Sequence, residues 1–73
     1  MQVYNLEVRT PSHVSMRETG PFPSDNAVQA HASKRIGQML ISYSEQMWTD
    51  QEWKLDVADQ DGKLLWVMTI AIA

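Results

Sequence analysis

The 73 residues make one small domain, 1–73, with a thin core. A chain this short buries only about 60% of the surface its unfolded form exposes, so such scaffolds lean on disulfides, a metal or a partner. With no cysteine, disulfides, thiolate metal sites and a cysteine nucleophile are excluded, and a reducing, cytoplasmic setting is expected; a net charge of −3, a pI of about 5.1 and 44% hydrophobic residues argue against both a nucleic-acid binder and a disordered chain.

Residues 2–10 alternate in polarity. Tyr4, Leu6 and Val8 share one face, while Asn5, Glu7 and Arg9 share the other, which is the period-two signature of a strand with one buried side. Residues 11–23 contain Pro11, Ser12, Ser15, Gly20, Pro21 and Pro23 and read as a long loop; the weak alternation of Val14 and Met16 leaves room for a short extra strand. Mobility and binding residues concentrate in loops of this kind.

Ser24 or Asp25 then supplies a helix N-cap, with Asp25 favourably placed at the positive end of the dipole. Val28, Ala32, Ile36, Met39, Leu40, Tyr43 and Met47 recur at spacings of three and four. That stripe predicts one long helix ending around Met47 to Thr49, weakened at Gly37 by roughly 1 kcal/mol relative to Ala.

Trp53, Leu55 and Val57 alternate with Lys54 and Asp56, giving a second strand. Asp59-Gln60-Asp61-Gly62 reads as a type I turn with Gly62 in the left-handed region. Residues 64–72 form a third strand that is apolar on both faces, with Leu64, Trp66, Met68 and Ile70 on one and Leu65, Val67 and Ala71 on the other. The apolar run is about ten residues, short of the roughly 20 that a spanning helix needs, and no basic stretch leads into an apolar one at the start, so neither a membrane span nor a signal peptide is expected.

A strand apolar on both faces is usually buried on both, and an exposed edge of that kind invites aggregation. The expected fold is therefore α+β in the order β-α-β-β: a three-stranded antiparallel sheet, order 1-3-2, with one long helix packed on one face. One helix leaves the other face bare, and a second copy of the chain is the simplest cover.

No catalytic constellation emerges. His13 and His31 stand too far apart for a helical metal pair, and neither has a partner spacing that suits acid–base work. None of Ser12, Ser15, Ser24, Ser33, Ser42 or Ser44 sits in a nucleophile elbow, and there is no glycine-rich phosphate loop. Asp59, Asp61 and Gly62 lack the further ligands of a calcium loop. The expectation is a non-enzyme without cofactor or metal.

The three tryptophans and the acidic residues carry more information. Trp53 and Trp66 lie on the hairpin strands and are expected to fill the core, whereas Trp48, among Thr49, Asp50 and Gln51, is expected to be half exposed. Charge is uneven. Residues 1–36 hold Glu7, Glu18 and Asp25 against Arg9, Arg17, Lys34 and Arg35, a balance of +1, and residues 37–73 hold six acids against Lys54 and Lys63, a balance of −4. Trp48, Trp66, Asp56, Asp59 and Asp61 are the candidate partner-binding residues.

Three stretches together resemble a family. Val3-Tyr4-Asn5-Leu6-Glu7-Val8, the segment from Ala27 to Leu40, and Trp53-Lys54-Leu55-Asp56-Val57-Ala58-Asp59-Gln60-Asp61-Gly62-Lys63-Leu64 are similar to the tyrosine-bearing first strand, amphipathic helix and Trp-led hairpin with a D-x-x-G turn of the DUF6894 type. That is a family of small bacterial proteins of unknown function. Where the family tends to carry an acidic D-x-x-G stretch before the helix, this chain has Arg17-Glu18-Thr19-Gly20-Pro21. The resemblance implies a fold and no activity.

The functional expectation is a small protein-interaction or regulatory module, bacterial or phage, that forms a homodimer through the sheet or binds another protein. The alternative is a small acidic inhibitor, phage-encoded, that presents its acidic half to a basic nucleic-acid-binding surface of a host protein complex.

Overall fold

The computed structural model describes residues 1–11 and 14–72. In chain order its elements are β1 (Gln2–Arg9), β2 (Val14–Phe22), α1 (Asp25–Ser42), α2 (Ser44–Asp50), β3 (Glu52–Asp59) and β4 (Leu64–Ala71). The strands form one sheet in the order β2-β1-β3-β4, with every neighbouring pair antiparallel. The two helices carry the chain from β2 over to β3, across the intervening β1.

This corrects the sequence-based fold in three places. The sheet has four strands rather than three, because much of the expected 11–23 loop is β2. It pairs along the whole of β1, from Gln2↔Phe22 to Arg9↔Val14. Its turn-forming residues are tolerated because β2 lies at an edge, where half of the backbone groups meet no ladder and a proline need not donate.

The second correction is the strand order. The doubly apolar strand, β4, is not central. It pairs only with β3, and β1 and β3 take the middle. Their alternation explains why: Tyr4, Leu6 and Val8 from β1 and Trp53, Leu55 and Val57 from β3 are each buried on one face. Burying such side chains contributes roughly 1.5–3 kcal/mol each, so the helix sits where six of them can be covered together.

The third concerns the helix, which is two helices rather than one. Ser24 caps α1, its Oγ accepting from the Ala27 amide at 3.1 Å, and Val28, Ala32, Ile36 and Met39 bury the expected stripe. At Tyr43 the backbone leaves the helical region (φ −121°, ψ 39°). Met47 lies eight residues past Met39 and would be about 80° out of phase on a straight helix. The break lets Met47 reach the core all the same. α2 ends on Gln51, which takes a left-handed conformation (φ 66°) while its amide donates to Met47 O.

The β3–β4 turn forms as expected. Gly62 has φ 87°, its amide donates to Asp59 O at 3.0 Å, and Asp59 Oδ1 accepts from the Asp61 and Lys63 amides at 2.9 Å.

Candidate interaction surface: the free edge of the sheet

The register fixes what each face of the sheet presents. Residues opposite one another in an antiparallel pair share a face. Trp53↔Ile70, Leu55↔Met68 and Val57↔Trp66 therefore put Trp66, Met68 and Ile70 on the helix side. On β2 the same side carries Met16, Glu18, Gly20 and Phe22. Glu18 Oε1 lies 2.6 Å from His31 Nε2, and Arg35 Nε, although buried, lies 3.2 Å from Glu18 Oε2 without hydrogen-bond geometry. These contacts tie β2 to α1. Beside them Phe22 packs its ring against His31 (5.1 Å) and Tyr4 (6.0 Å).

The opposite face is polar and internally paired. Arg9 Nε meets Asp56 Oδ2 at 2.7 Å, Arg17 stands 3.7 Å from Glu7, and Lys54 stands 3.5 Å from Glu52. Asn5 donates to Asp59 O at 3.0 Å and accepts from Thr19 at 2.7 Å. Asp56 also holds the Arg9 guanidinium pKa above its usual value, by a hydrogen bond first and by charge second. The face the sequence left bare is lined across β1, β2 and β3 by polar side chains that pair at the surface, and the apolar Leu64 and Val67 lie at its β4 side.

The apolar surface is at the β4 edge. Leu64–Ala71 contains no charged residue, no proline and no glycine, and no described strand pairs with its outer side. Leu64 is 52% exposed, Val67 44% and Met68 36%. Leu65 is the extra residue where the register slips between Val57 and Ala58. Between β4 and α1 lies an open groove of about 320 Å³, with Ala32 and Ser33 on its helix wall, Leu55 and Val57 at its floor and Trp66 and Met68 along its strand side.

The edge also has a readable phase. The Ile72 amide donates to Gln51 O at 2.8 Å, continuing the register of Glu52↔Ala71. Backbone groups alternate along an antiparallel ladder, so those of Trp66, Met68 and Ile70 turn toward β3 and those of Val67, Thr69 and Ala71 turn outward. Carried across the sheet, the same alternation puts Pro21 on the outer side of β2, where its missing donor is harmless.

The five sequence-predicted partner residues are not brought together. Trp66 is partly buried at the groove and faces Val57, four positions along β3 from Trp53, so the two rings are not cross-strand partners. Trp53 is in the core, with its indole N–H donating to Asp50 at 3.2 Å. Trp48 is 69% exposed on α2, which leads into the start of β3, at the end of the sheet away from the β3–β4 turn. Asp56 is engaged by Arg9 in mid-sheet, Asp59 holds the turn, and Asp61 is exposed beside it. His13 lies outside the described residues. The candidate edge residues outside those five are Val67, Met68, Thr69 and Ile70; their signal in the sequence is the uncharged run itself, which pattern places at the centre of the sheet and the structure places at its side.

Among the described residues no cluster of three or more His, Asp or Glu side chains could hold a metal ion, and no helix is long and apolar enough to cross a membrane. The family profile described as a domain of unknown function, DUF6894, matches residues 3–71, nearly the whole chain and including the Arg17–Pro21 departure. No curated protein matches, and no solved structure matches.

Proposed function

We infer that this chain, which belongs to the DUF6894 family, is a small non-enzymatic interaction module of the bacterial or phage cytoplasm that self-associates through its sheet, using the outer edge of β4. The observation that carries the reading is the edge itself: eight residues without charge, proline or glycine, with exposed Leu64, Val67 and Met68 and outward backbone groups. An unprotected apolar edge is a template for another strand, and proteins that do not use one blunt it. Solvent cannot satisfy that apolar surface, whereas a strand laid along it supplies both the ladder and the side-chain cover.

The experiment is light scattering across micromolar concentrations, on the wild type and on Thr69→Pro. Thr69 is exposed and its backbone groups point outward, so the proline removes no hydrogen bond within the chain. The wild type is expected to exceed its monomer mass of 8.4 kDa, and Thr69→Pro to fall back to it while keeping its circular dichroism. A wild type that stays at 8.4 kDa throughout contradicts the reading. No observation favours the acidic-inhibitor alternative, since Asp56 and Asp59 are already occupied within the fold.

A further inference from the structure

Taking that reading as its premise, we propose that the occupant of the edge is the β4 of a second copy, joined antiparallel about a two-fold axis that passes through Met68, so that two four-stranded sheets become one of eight. Three observations converge on this occupant and this register.

Charge comes first. The chain carries a net −3, yet β4 carries none, so copies that repel elsewhere can meet along this strand without burying a charge. A matching surface must be equally uncharged and extended, and β4 is itself such a surface. An isologous contact uses one patch twice, which suits an edge that has no complementary partner strand elsewhere on the molecule.

The backbone phase sets the register. Outward groups at Val67, Thr69 and Ala71 must meet outward groups of the copy. Centring the pair on Met68 sets Val67 against the copy's Thr69, and Thr69 against its Val67, giving two closely bonded pairs around the axis. Shifting the centre to Thr69 shortens the overlap from residues 65–71 to 67–71, and shifting it to Val67 leaves the outward groups of Ala71 beyond the ladder.

Side chains complete the match. With Met68 at the axis, Met68 faces its own copy and Trp66 faces the copy's Ile70, all on the helix side. Trp66 and Met68 border the groove beside α1, and Trp66 and Ile70 are partly buried against the core. The copy's Met68 and Trp66 then close the open side of the 320 Å³ groove, and the reverse holds for the other groove. Methionine suits a contact that must adapt to its own image. The strand is about 27 Å long, and with a depth of about 15 Å from sheet to helix the patch is on the order of 400 Å² per copy, which is below the range of stable interfaces and in that of weak, transient ones. A dimer of micromolar stability is the expectation.

The natural chain has no cysteine, so single-cysteine variants report the register cleanly. Directly opposed residues of a wide antiparallel pair have Cα atoms about 4.5 Å apart, within disulfide reach, and diagonal ones do not. Met68→Cys, Val67→Cys and Thr69→Cys are each oxidised mildly and run under non-reducing conditions, beside light scattering of the reduced proteins. The expected result is a covalent species of twice 8.4 kDa for Met68→Cys and little for the other two. A reduced protein of dimer mass that links at position 67 or 69 and not at 68 overturns this register and leaves edge pairing intact. A monomer mass for the wild type and all three variants overturns the dimer and the edge reading together.

Discussion

β2 and β4 close the same sheet at opposite sides, and they are built in opposite ways. β2 (Val14–Phe22) carries Arg17, Glu18, Gly20 and Pro21 within nine residues and is tied to α1 through Glu18, His31 and Arg35. Its outer side offers a proline where a partner strand would need a donor. β4 has none of these devices, and its exposed large apolar side chains are Leu64, Val67 and Met68. Both edges belong to one small chain. The difference teaches that protection against strand addition was available to this fold and is present on one side only.

The largest expected effect breaks the core on which both edges rest. Trp53 is 1% exposed and sits on β3, the strand that carries β4. Trp53→Ala should cost about 3–5 kcal/mol, most of the stability of a domain this small, and urea denaturation should show the fold largely lost. A mild effect would mean that the sheet is held from elsewhere.

Next comes the protected edge. Glu18→Ala removes the contacts to His31 and Arg35, both about one-third exposed, and leaves the buried Arg35 Nε without its carboxylate. Screened pairs of this kind contribute at most about 1 kcal/mol each, so a loss of about 1–2 kcal/mol in chemical denaturation is expected, with no change in molar mass. A change in mass would mean that β2 also takes part in association.

Between the two edges, Tyr4 anchors β1. Its hydroxyl donates to Asp25 Oδ1 at 2.5 Å, and that bond, followed by burial and the Asp25 charge, raises the phenol pKa above 10.0. A pKa raised by folding gives stability that is complete below the unfolded value and is lost as pH rises through the folded one. Thermal melts should therefore hold steady to about pH 10 and fall above it, and Tyr4→Phe should flatten that fall. An unchanged alkaline slope in Tyr4→Phe would place its origin in other groups.

The smallest effect sits where α2 hands over to β3. Gln51 pays for a left-handed backbone with a side chain that disfavours it, so Gln51→Gly should raise stability by at most about 1 kcal/mol in the same denaturation assay. A loss would show that the Gln51 side chain contributes more than its backbone costs.

The legible parts of this fold were those whose signals are local. β1 and β3 alternate because one face is buried and the other is wet, and Ser24 and Gly62 sit where a cap and a left-handed turn residue are required. β2 was hidden because an edge strand needs little hydrophobicity and tolerates Pro21, so its residues look like a loop. The helix break at Tyr43 was hidden because Tyr43 keeps the three-four spacing while its backbone leaves the helix and its side chain is 55% exposed. β4 was seen but misplaced. The rule that a doubly apolar strand is buried on both faces puts it in the centre of the sheet, whereas here the alternating strands β1 and β3 take the centre because their buried faces pack together under the helix. The acidic residues were visible for the same reason that they mislead: charge is counted along the sequence, whereas Arg9 finds Asp56 only across the sheet.

Amide hydrogen exchange compares the two edges most directly. It is measured residue by residue, in dilute and in concentrated protein, at Val67, Thr69 and Ala71 on β4 and at Arg17 and Thr19 on β2, all outward by phase. The account predicts that the three β4 amides become protected as concentration rises while the two β2 amides exchange quickly at both. Fast exchange at both edges regardless of concentration would contradict it.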